Sequence, residues 1–136
     1  MTLFTRIISS LAVVSFCVAS AAHAEVAVIV HPHAAQSPGL AEVANIYHGK
    51  DKSMTAIDLE NWGPTRTSFY NQVANKNESQ MRSYWSGLIF TGKGQPPASV
   101  ADDAAMIQRV ASDSNAIGYV DSASVTDEVK VIFTLP

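Results

Sequence analysis

Cysteine is nearly absent from this chain of 136 residues: Cys17 is the only one, and it lies in an apolar stretch near the start. A lone cysteine cannot form a disulfide within the chain, so stability must come from a packed core. Charged residues are also few, at 15% of the chain, and lysine and arginine nowhere form a cluster. Because nucleic acids and anionic lipid surfaces attract clustered positive charge, the sequence argues against both as partners.

Motifs for catalysis and for metal binding are scarce as well. The chain has no Ser/His/Asp context, no paired carboxylates and no Gly-rich nucleotide loop, which argues against an enzyme. His31 and His33 would project to one side of a strand that continued through them, with His48 as a third nitrogen, and a metal site is therefore an alternative. Pro32 favours a turn instead, so we expect loop histidines, no metal and no cofactor.

The first 24 residues have the pattern of a secretory signal peptide. Arg6 precedes the apolar run 7–22, and Ala22-His23-Ala24 is a small-residue motif of the type that signal peptidase cleaves. The run contains several serines and is shorter than the roughly 20 mostly apolar residues that a membrane span needs. We therefore expect export to the periplasm, cleavage after this motif and one domain over residues 25–136. Without Arg6, that domain has eight Lys and Arg residues against twelve Asp and Glu, a net charge of −4.

Hydrophobic patterning predicts strands that alternate with helices. The predicted strands cover 25–30, 55–59, 116–120 and 129–133. The first is a β-branched run suited to burial on both faces, as in parallel sheets. The predicted helices begin at Ser37-Pro38, Pro64, Ser79 and Ser99, and Gly49 ends the first. Without disulfides, this alternation predicts an α/β layer fold.

Helical spacing also predicts which side chains enter the core. The expected buried residues are Phe69, Tyr70 and Val73 in the second helix, Met81, Tyr84, Trp85, Leu88 and Ile89 in the third, and Val100, Ala104, Ile107 and Ala111 in the fourth. A Gly/Pro-rich loop at 91–97 follows the third helix, and no regular structure is expected there. Its Lys93 is expected to be solvated, with a contribution of positive charge to a nearby site as the alternative.

A candidate anion site lies at the start of the second predicted helix. The turn 61–64 leads into residues 65–68, Thr-Arg-Thr-Ser, which places backbone N–H groups, hydroxyls and a guanidinium at a helix N-terminus. Such termini carry partial positive charge and unsatisfied donors, as the binding of phosphate or sulfate requires. The candidate anion-binding residues are Gly63, Thr65, Arg66 and Thr67. The alternative is an ordinary helix start with a solvated Arg66.

Several segments resemble the phosphate-binding proteins of ABC transporters. Residues 115–120, Asn-Ala-Ile-Gly-Tyr-Val, are similar to a Gly-Ala-Ile-Gly-Tyr-Val segment of that family, and residues 46–50, Ile-Tyr-His-Gly-Lys, to its Phe-x-Gly-Lys pattern. Residues 62–65, Trp-Gly-Pro-Thr, followed by Phe69, resemble the Gly-Ser-Gly-Thr turn that opens a helix and grips the anion. The resemblance carries over Thr65 as a side-chain ligand. Leu59 stands near the position of an arginine that larger members possess.

The resemblance covers nearly all of residues 25–136. It implies a three-layer, periplasmic-binding-protein-like single lobe with a mixed, mostly parallel sheet flanked by helices. It also implies periplasmic binding of phosphate or a similar small oxyanion, as a solute-binding component or accessory of ABC-type phosphate uptake. Because such proteins close two lobes around the ligand, a second copy in a homodimer or a membrane component of the transporter is the expected partner. The alternative is a ligand-free interaction module that retains the lobe fold, since Gly63-Pro64 alters the family's turn.

Overall fold

A computed structural model describes residues 25–136, so the predicted signal peptide, its cleavage site and Cys17 lie outside the described residues. Strands and helices alternate along this part of the chain. The strands are β1 (Val26–Val30), β2 (Thr55–Leu59), β3 (Ala98–Val100), β4 (Ala116–Asp121) and β5 (Lys130–Leu135). The helices are α1 (Leu40–Tyr47), α2 (Pro64–Val73), α3 (Glu78–Phe90) and α4 (Asp103–Ala111), and a 3-10 turn covers Ser122–Ser124. None of the described helices is long and apolar enough to cross a membrane.

The five described strands form one sheet in the order β3-β2-β4-β1-β5. β2 runs parallel to β3 and to β4, whereas β1 runs antiparallel to β4 and to β5. Four strands therefore point one way and β1 points the other, which confirms the mixed, mostly parallel sheet. β1 is buried along its whole length, as predicted, but both of its neighbours are antiparallel. Its apolar run indicates central burial and carries no information about strand direction.

Helices cover both faces of the sheet. Gly118 of β4 faces α4, where an added Cβ would lie 2.5 Å from the sulfur of Met106. The neighbouring Tyr119 points to the opposite face, where its ring stacks on Phe69 of α2 at 3.9 Å between centroids and contacts Tyr47 of α1. The sheet thus lies between α4 on one side and α1 and α2 on the other. This is the three-layer arrangement that the resemblance implies.

The ends of α1 and the start of α2 largely follow the sequence. Pro64 is the first residue of α2, as predicted. Gly49, at φ +73°, follows α1 in the left-handed conformation that glycine adopts readily, so the predicted end is also confirmed. The predicted start at Ser37-Pro38 is wrong by two residues. α1 begins after Gly39, whose carbonyl accepts the first helical hydrogen bond, from Val43 N, at 2.9 Å.

The predicted caps of α3 and α4 are wrong because better acceptors lie nearby. Asn77, and not Ser79, caps α3: its side chain accepts from Gln80 N while the Gln80 side chain accepts from Asn77 N, which forms a capping box. Asp102, and not Ser99, caps α4 and accepts from Ala105 N at 2.8 Å. Ser99 belongs instead to β3, a short strand that the sequence does not predict.

The core contains only part of the predicted helix faces. Phe69, Tyr70 and Val73 of α2 are buried, as are Met81 and Trp85 of α3 and Ile107 of α4. Tyr84 and Leu88 are half-buried, and Ile89 is 54% exposed, because α3 turns a face narrower than the predicted stripe toward the domain. In α4 the buried residues are Met106, Ile107 and Val110. The predicted face differs because the helix begins only at Asp103, so that Val100 lies in β3. Ala104 is exposed and Ala111 is half-buried.

Candidate functional site

The parallel strands β2, β3 and β4 end at one edge of the sheet. Leu59 and Val100 pair at the ends of β2 and β3, and Glu60 N donates to Val100 O at 2.9 Å just beyond them. The chain enters α2 after β2 and α4 after β3, so both helices begin at this edge. Ligands of open α/β sheets bind outside the carboxyl ends of the strands. The fold therefore makes this edge the first place to look for a site.

The N-terminus of α4 is occupied by carboxylates of the chain itself. Asp102 caps the helix, and the Asp103 carboxylate accepts from Asp121 N at 3.2 Å and from Ser124 Oγ at 2.7 Å. These negative charges satisfy the helix dipole and would repel an incoming anion. Of the two helix starts at this edge, only that of α2 is a candidate for anion binding.

The N-terminus of α2 has no side-chain cap. Gly63 is the N-cap residue and has no side chain that could accept a hydrogen bond. Pro64 has no N–H. Thr67 N makes the first helical hydrogen bond, to Gly63 O at 3.0 Å. The N–H groups of Thr65 and Arg66 are therefore the first-turn donors that the helix leaves unsatisfied. The candidate residues lie together in one turn, with Thr65 half-buried and Thr67 exposed.

The Arg66 side chain folds back onto the domain instead of extending into solvent. Its Nη2 donates to Asp58 Oδ2 at 3.1 Å, and its Nη1 donates to Glu60 O at 3.1 Å. The guanidinium carbon lies 4.3 Å from the centre of the Trp62 ring, a cation–π distance. Its Nε is buried and has no hydrogen-bond partner within the described part of the chain. A buried donor without an acceptor costs free energy, so this atom is an exception that requires an explanation.

Asp58 is the centre of a buried polar cluster that the sequence analysis missed. The residue is 4% exposed, and its carboxylate accepts hydrogen bonds from the Tyr70 hydroxyl at 2.5 Å, from the Tyr119 hydroxyl and from Leu59 N. Burial, followed by the charge of Asp58, raises the pKa of both tyrosines well above the usual value, so both remain protonated donors. A signal was available, because Asp58 lies inside a predicted strand, and an acidic side chain that such a strand buries requires partners.

A small cavity adjoins Arg66 on the side of α3. Its volume is about 140 Å³, and its walls include Trp62, Tyr70, Met81 and Trp85. The second arginine of this cavity, Arg82, is exposed and pairs with Glu78 at 2.8 Å. The cavity touches Arg66 and does not include Thr65 or Thr67. Arg66 is thus both a residue of the first turn of α2 and a lining residue of this cavity.

The three histidines of the domain do not converge. His33 N donates to His31 Nδ1 at 3.0 Å within the turn after β1. His48 is buried at the end of α1, with its Nδ1 2.6 Å from Ala44 O and its Nε2 3.2 Å from Lys76 Nζ. In residues 25–136 no group of three or more His, Cys, Asp or Glu side chains could hold a metal ion.

Comparisons with known proteins find similarity in fold. No protein-family model and no curated protein sequence matches the chain. One similar structure, assigned as a phosphate ABC transporter substrate-binding protein with bound phosphate, comes from Clostridium perfringens. Its TM-score is 0.60 at 22% identity, over 79% of this chain and 44% of that one. An ABC-type phosphate transport receptor from Vibrio cholerae has a TM-score of 0.60 at 17% identity, over 79% and 46%.

A third structure, assigned to phosphate binding, comes from Planctomyces limnophilus; its TM-score is 0.50 at 13% identity, over 74% of this chain and 37% of that one. The chain therefore spans less than half the length of each of these structures. At such identities the similarity shows a shared fold but does not show which ligand is bound. The described residues form an α/β lobe of the kind found in these substrate-binding proteins.

Proposed function

We propose that the protein binds phosphate or a similar small oxyanion in the periplasm, at the N-terminus of α2. The observation that carries this proposal is an uncapped helix start at the carboxyl edge of the sheet. Its role would be that of a solute-binding component or accessory of ABC-type phosphate uptake. Because one structure of similar fold contains bound phosphate, phosphate is the first anion to test.

The proposed ligand contacts are mostly neutral donors. The N–H groups of Thr65 and Arg66 point along the helix start, the Thr65 hydroxyl adds a donor, and Thr67 and Gly63 complete the turn. The charge of Arg66 is already balanced by Asp58 at 3.1 Å. Binding would therefore depend on hydrogen bonds and the helix dipole more than on a free positive charge. This suits an anion site in a domain with a net negative charge.

A single lobe covers only part of an anion. We expect the monomer to bind phosphate with micromolar to millimolar affinity, which corresponds to about −8 to −4 kcal/mol. A second copy or a membrane component would supply the remaining surface. Sedimentation with and without saturating phosphate tests the homodimer, because ligand that bridges two copies favours their association by mass action. A monomer that binds phosphate with nanomolar affinity would refute the half-site argument.

The decisive experiment is titration calorimetry of the purified protein with phosphate and with sulfate. Thr65→Val removes a hydroxyl donor and nearly preserves the side-chain shape. It should therefore weaken the binding of phosphate by about 1–3 kcal/mol. Arg66→Gln should also weaken phosphate binding if the guanidinium contributes to the contact. The exposed Thr134 of β5 offers a matched control, since Thr134→Val should leave the affinity unchanged. Phosphate that binds both site variants as tightly as the parent protein would place the site elsewhere.

A ligand-free interaction module is the second candidate, and the end of α3 favours it. Phe90 is 93% exposed and Ile89 is 54% exposed, which leaves two apolar side chains adjacent on the surface. This candidate predicts no heat with phosphate or sulfate from a protein that is folded by circular dichroism. A saturable phosphate isotherm that Thr65→Val weakens would exclude it.

A further inference from the structure

We propose that a second pocket, between the end of α1 and the C-terminal half of α3, binds a small organic anion with an aromatic or aliphatic body. This α3 pocket has a volume of about 500 Å³. Trp85 and Leu88 form its apolar wall, and Lys52 and Lys93 bring ammonium groups from the loops that follow α1 and α3. Binding sites for small molecules have volumes of roughly 300–1,000 Å³ and combine apolar walls with a few polar groups.

The charge of the α3 pocket has one sign. Lys52 and Lys93 line it, whereas no aspartate or glutamate does. In residues 25–136 neither lysine lies within salt-bridge distance of a carboxylate. Two unpaired ammonium groups in a domain of net charge −4 form a local positive field, which attracts an anion and repels a cation.

His48 lines the same pocket as a neutral group. Burial is the main influence that lowers its pKa; the hydrogen bond to Ala44 O opposes this, and the charges of Lys76 and Lys50 reinforce it. The contacts of its two nitrogens fit a ring that donates from Nδ1 to Ala44 O and accepts at Nε2 from Lys76 Nζ. The positive charge available to a ligand is therefore that of the two lysines.

Two glycines fix the tryptophan ring that forms the wall. A Cβ at Gly49 would lie 3.2 Å from Trp85 Cη2, and one at Gly94 would lie 3.6 Å from Trp85 Cζ3. At Gly49 a side chain would crowd the ring and would also be strained at φ +73°, whereas at Gly94 a Cβ would make an ordinary contact with it. An inorganic ion would gain nothing from this wall, and a neutral hydrocarbon would gain nothing from the lysines. The combination selects a carboxylate, phosphate or sulfonate attached to a hydrocarbon group.

The Thr-Gly-Lys-Gly segment at 91–94 explains how Lys93 reaches the pocket. Gly92 adopts φ +70° after α3, and its N–H donates to Ile89 O at 3.1 Å. Lys93 N then donates to Leu88 O at 2.9 Å, which completes a Schellman-type end to the helix. The helix end thereby holds the backbone of Lys93 beside Leu88. This gives the conspicuous Gly/Pro-rich loop a binding role that the α2 site does not use.

The α3 pocket is independent of the proposed site at α2. It shares Trp85 with the cavity beside Arg66, and it contains none of the candidate anion residues of the α2 turn. Either site can therefore fail experimentally without the other.

Tryptophan fluorescence tests the proposal, because Trp85 forms the wall. The chain has two tryptophans, so Trp62→Phe isolates the emission of Trp85. Phenylacetate, octanoate and phenyl phosphate are the probes, phenylacetamide is the neutral control, and inorganic phosphate is the control for the α2 site. We expect a saturable change with at least one anionic probe, and binding of that probe should weaken at least about fivefold in Lys52→Gln and in Lys93→Gln. Lys130→Gln, on exposed β5, should have no effect.

Four results would overturn the proposal in variants whose circular dichroism matches that of the parent protein. The first is no saturable response to any of the three anionic probes. The second is phenylacetamide binding as tightly as phenylacetate, which would remove the role of charge. The third is an unchanged probe affinity in both lysine variants. Displacement of phenylacetate by inorganic phosphate, unaffected by Thr65→Val, would also contradict the organic ligand class.

Discussion

Asp58 should be one of the residues on which the stability of the domain depends most. Asp58→Asn preserves the size of the side chain and removes its charge. The change weakens the hydrogen bonds donated by Tyr70 and Tyr119 and leaves the Arg66 guanidinium without its carboxylate partner. Because these groups are mostly buried, water cannot replace the lost contacts at low cost.

The magnitude follows from the geometry around Asp58. Breaking a buried ion pair by removal of one partner costs about 3–5 kcal/mol. The Arg66 side chain is 18% exposed, so solvent relieves part of its unpaired charge and the lower end of this range applies. We therefore expect Asp58→Asn to lower the free energy of unfolding by about 3 kcal/mol. That is a large share of the 5–15 kcal/mol typical of whole domains.

Urea denaturation followed by circular dichroism measures this loss. Asp127→Asn is the matched control, since Asp127 is exposed, and it should change stability by less than about 0.5 kcal/mol. Arg66→Met combined with Asp58→Asn should cost less than the sum of the single changes by at least about 1 kcal/mol, because the two charges are coupled. A loss below about 1 kcal/mol for Asp58→Asn, or strict additivity in the double variant, would refute the reasoning.

Three further outcomes follow from packing and protonation. Trp85→Ala should lower stability by about 3 kcal/mol in urea melts, whereas Ile89→Ala on the exposed side of α3 should stay within about 0.5 kcal/mol; equal effects would mean that α3 packs differently. Gly118→Ala should cost about 1–3 kcal/mol, because its Cβ would lie 3.0 Å from a methyl carbon of α4, while Gly87→Ala meets open space and should be neutral or stabilising. Burial lowers the pKa of His48 in the folded domain below its ordinary value, so the unfolded chain binds the proton more readily. The folded domain should therefore keep its full stability above about pH 6.5 and lose stability as the pH falls below that value. In urea melts at a series of pH values, the free energy of unfolding should fall less steeply with pH in His48→Gln than in the parent protein. An identical fall in both proteins would exclude His48 as the cause.

The sequence predicts β1 and β4 well because their own residues indicate burial. β1 and β4 are apolar runs, and their predicted positions match the structure within a residue. β3 is different, because Ala98 and Ser99 are exposed and neither residue favours a strand. Its extended form comes from parallel pairing with β2, in which Ile57 lies opposite Ala98. A strand that forms only because its partner lies 41 residues earlier in the chain cannot be predicted from the local pattern.

The candidate site also combines features that the local sequence predicts with features that depend on tertiary packing. The local sequence Gly63-Pro64 predicts a helix start without a side-chain cap, and α2 begins there without one. The partner of Arg66 was not predictable, because Asp58 precedes it by eight residues across a turn whose path depends on β2 and α2 packing together. The α3 pocket was missed for a similar reason. Lys52 and Lys93 line one pocket only because the end of α1 lies beside α3. In the sequence they are separated by three complete elements, β2, α2 and α3.

Residues 115–120, the segment that most resembles phosphate-binding proteins, are explained by packing and not by contact with a ligand. Gly118 lets α4 approach β4, and Tyr119 turns to the other face, where its ring stacks on Phe69 and its hydroxyl reaches Asp58. Each of these residues has a structural reason that holds with or without an anion. The turn at α2, where the chain has Gly-Pro in place of the family's Ser-Gly, is where binding would be decided. A ligand assignment must therefore come from variants of Thr65, Lys52 and Lys93 and not from the resemblance.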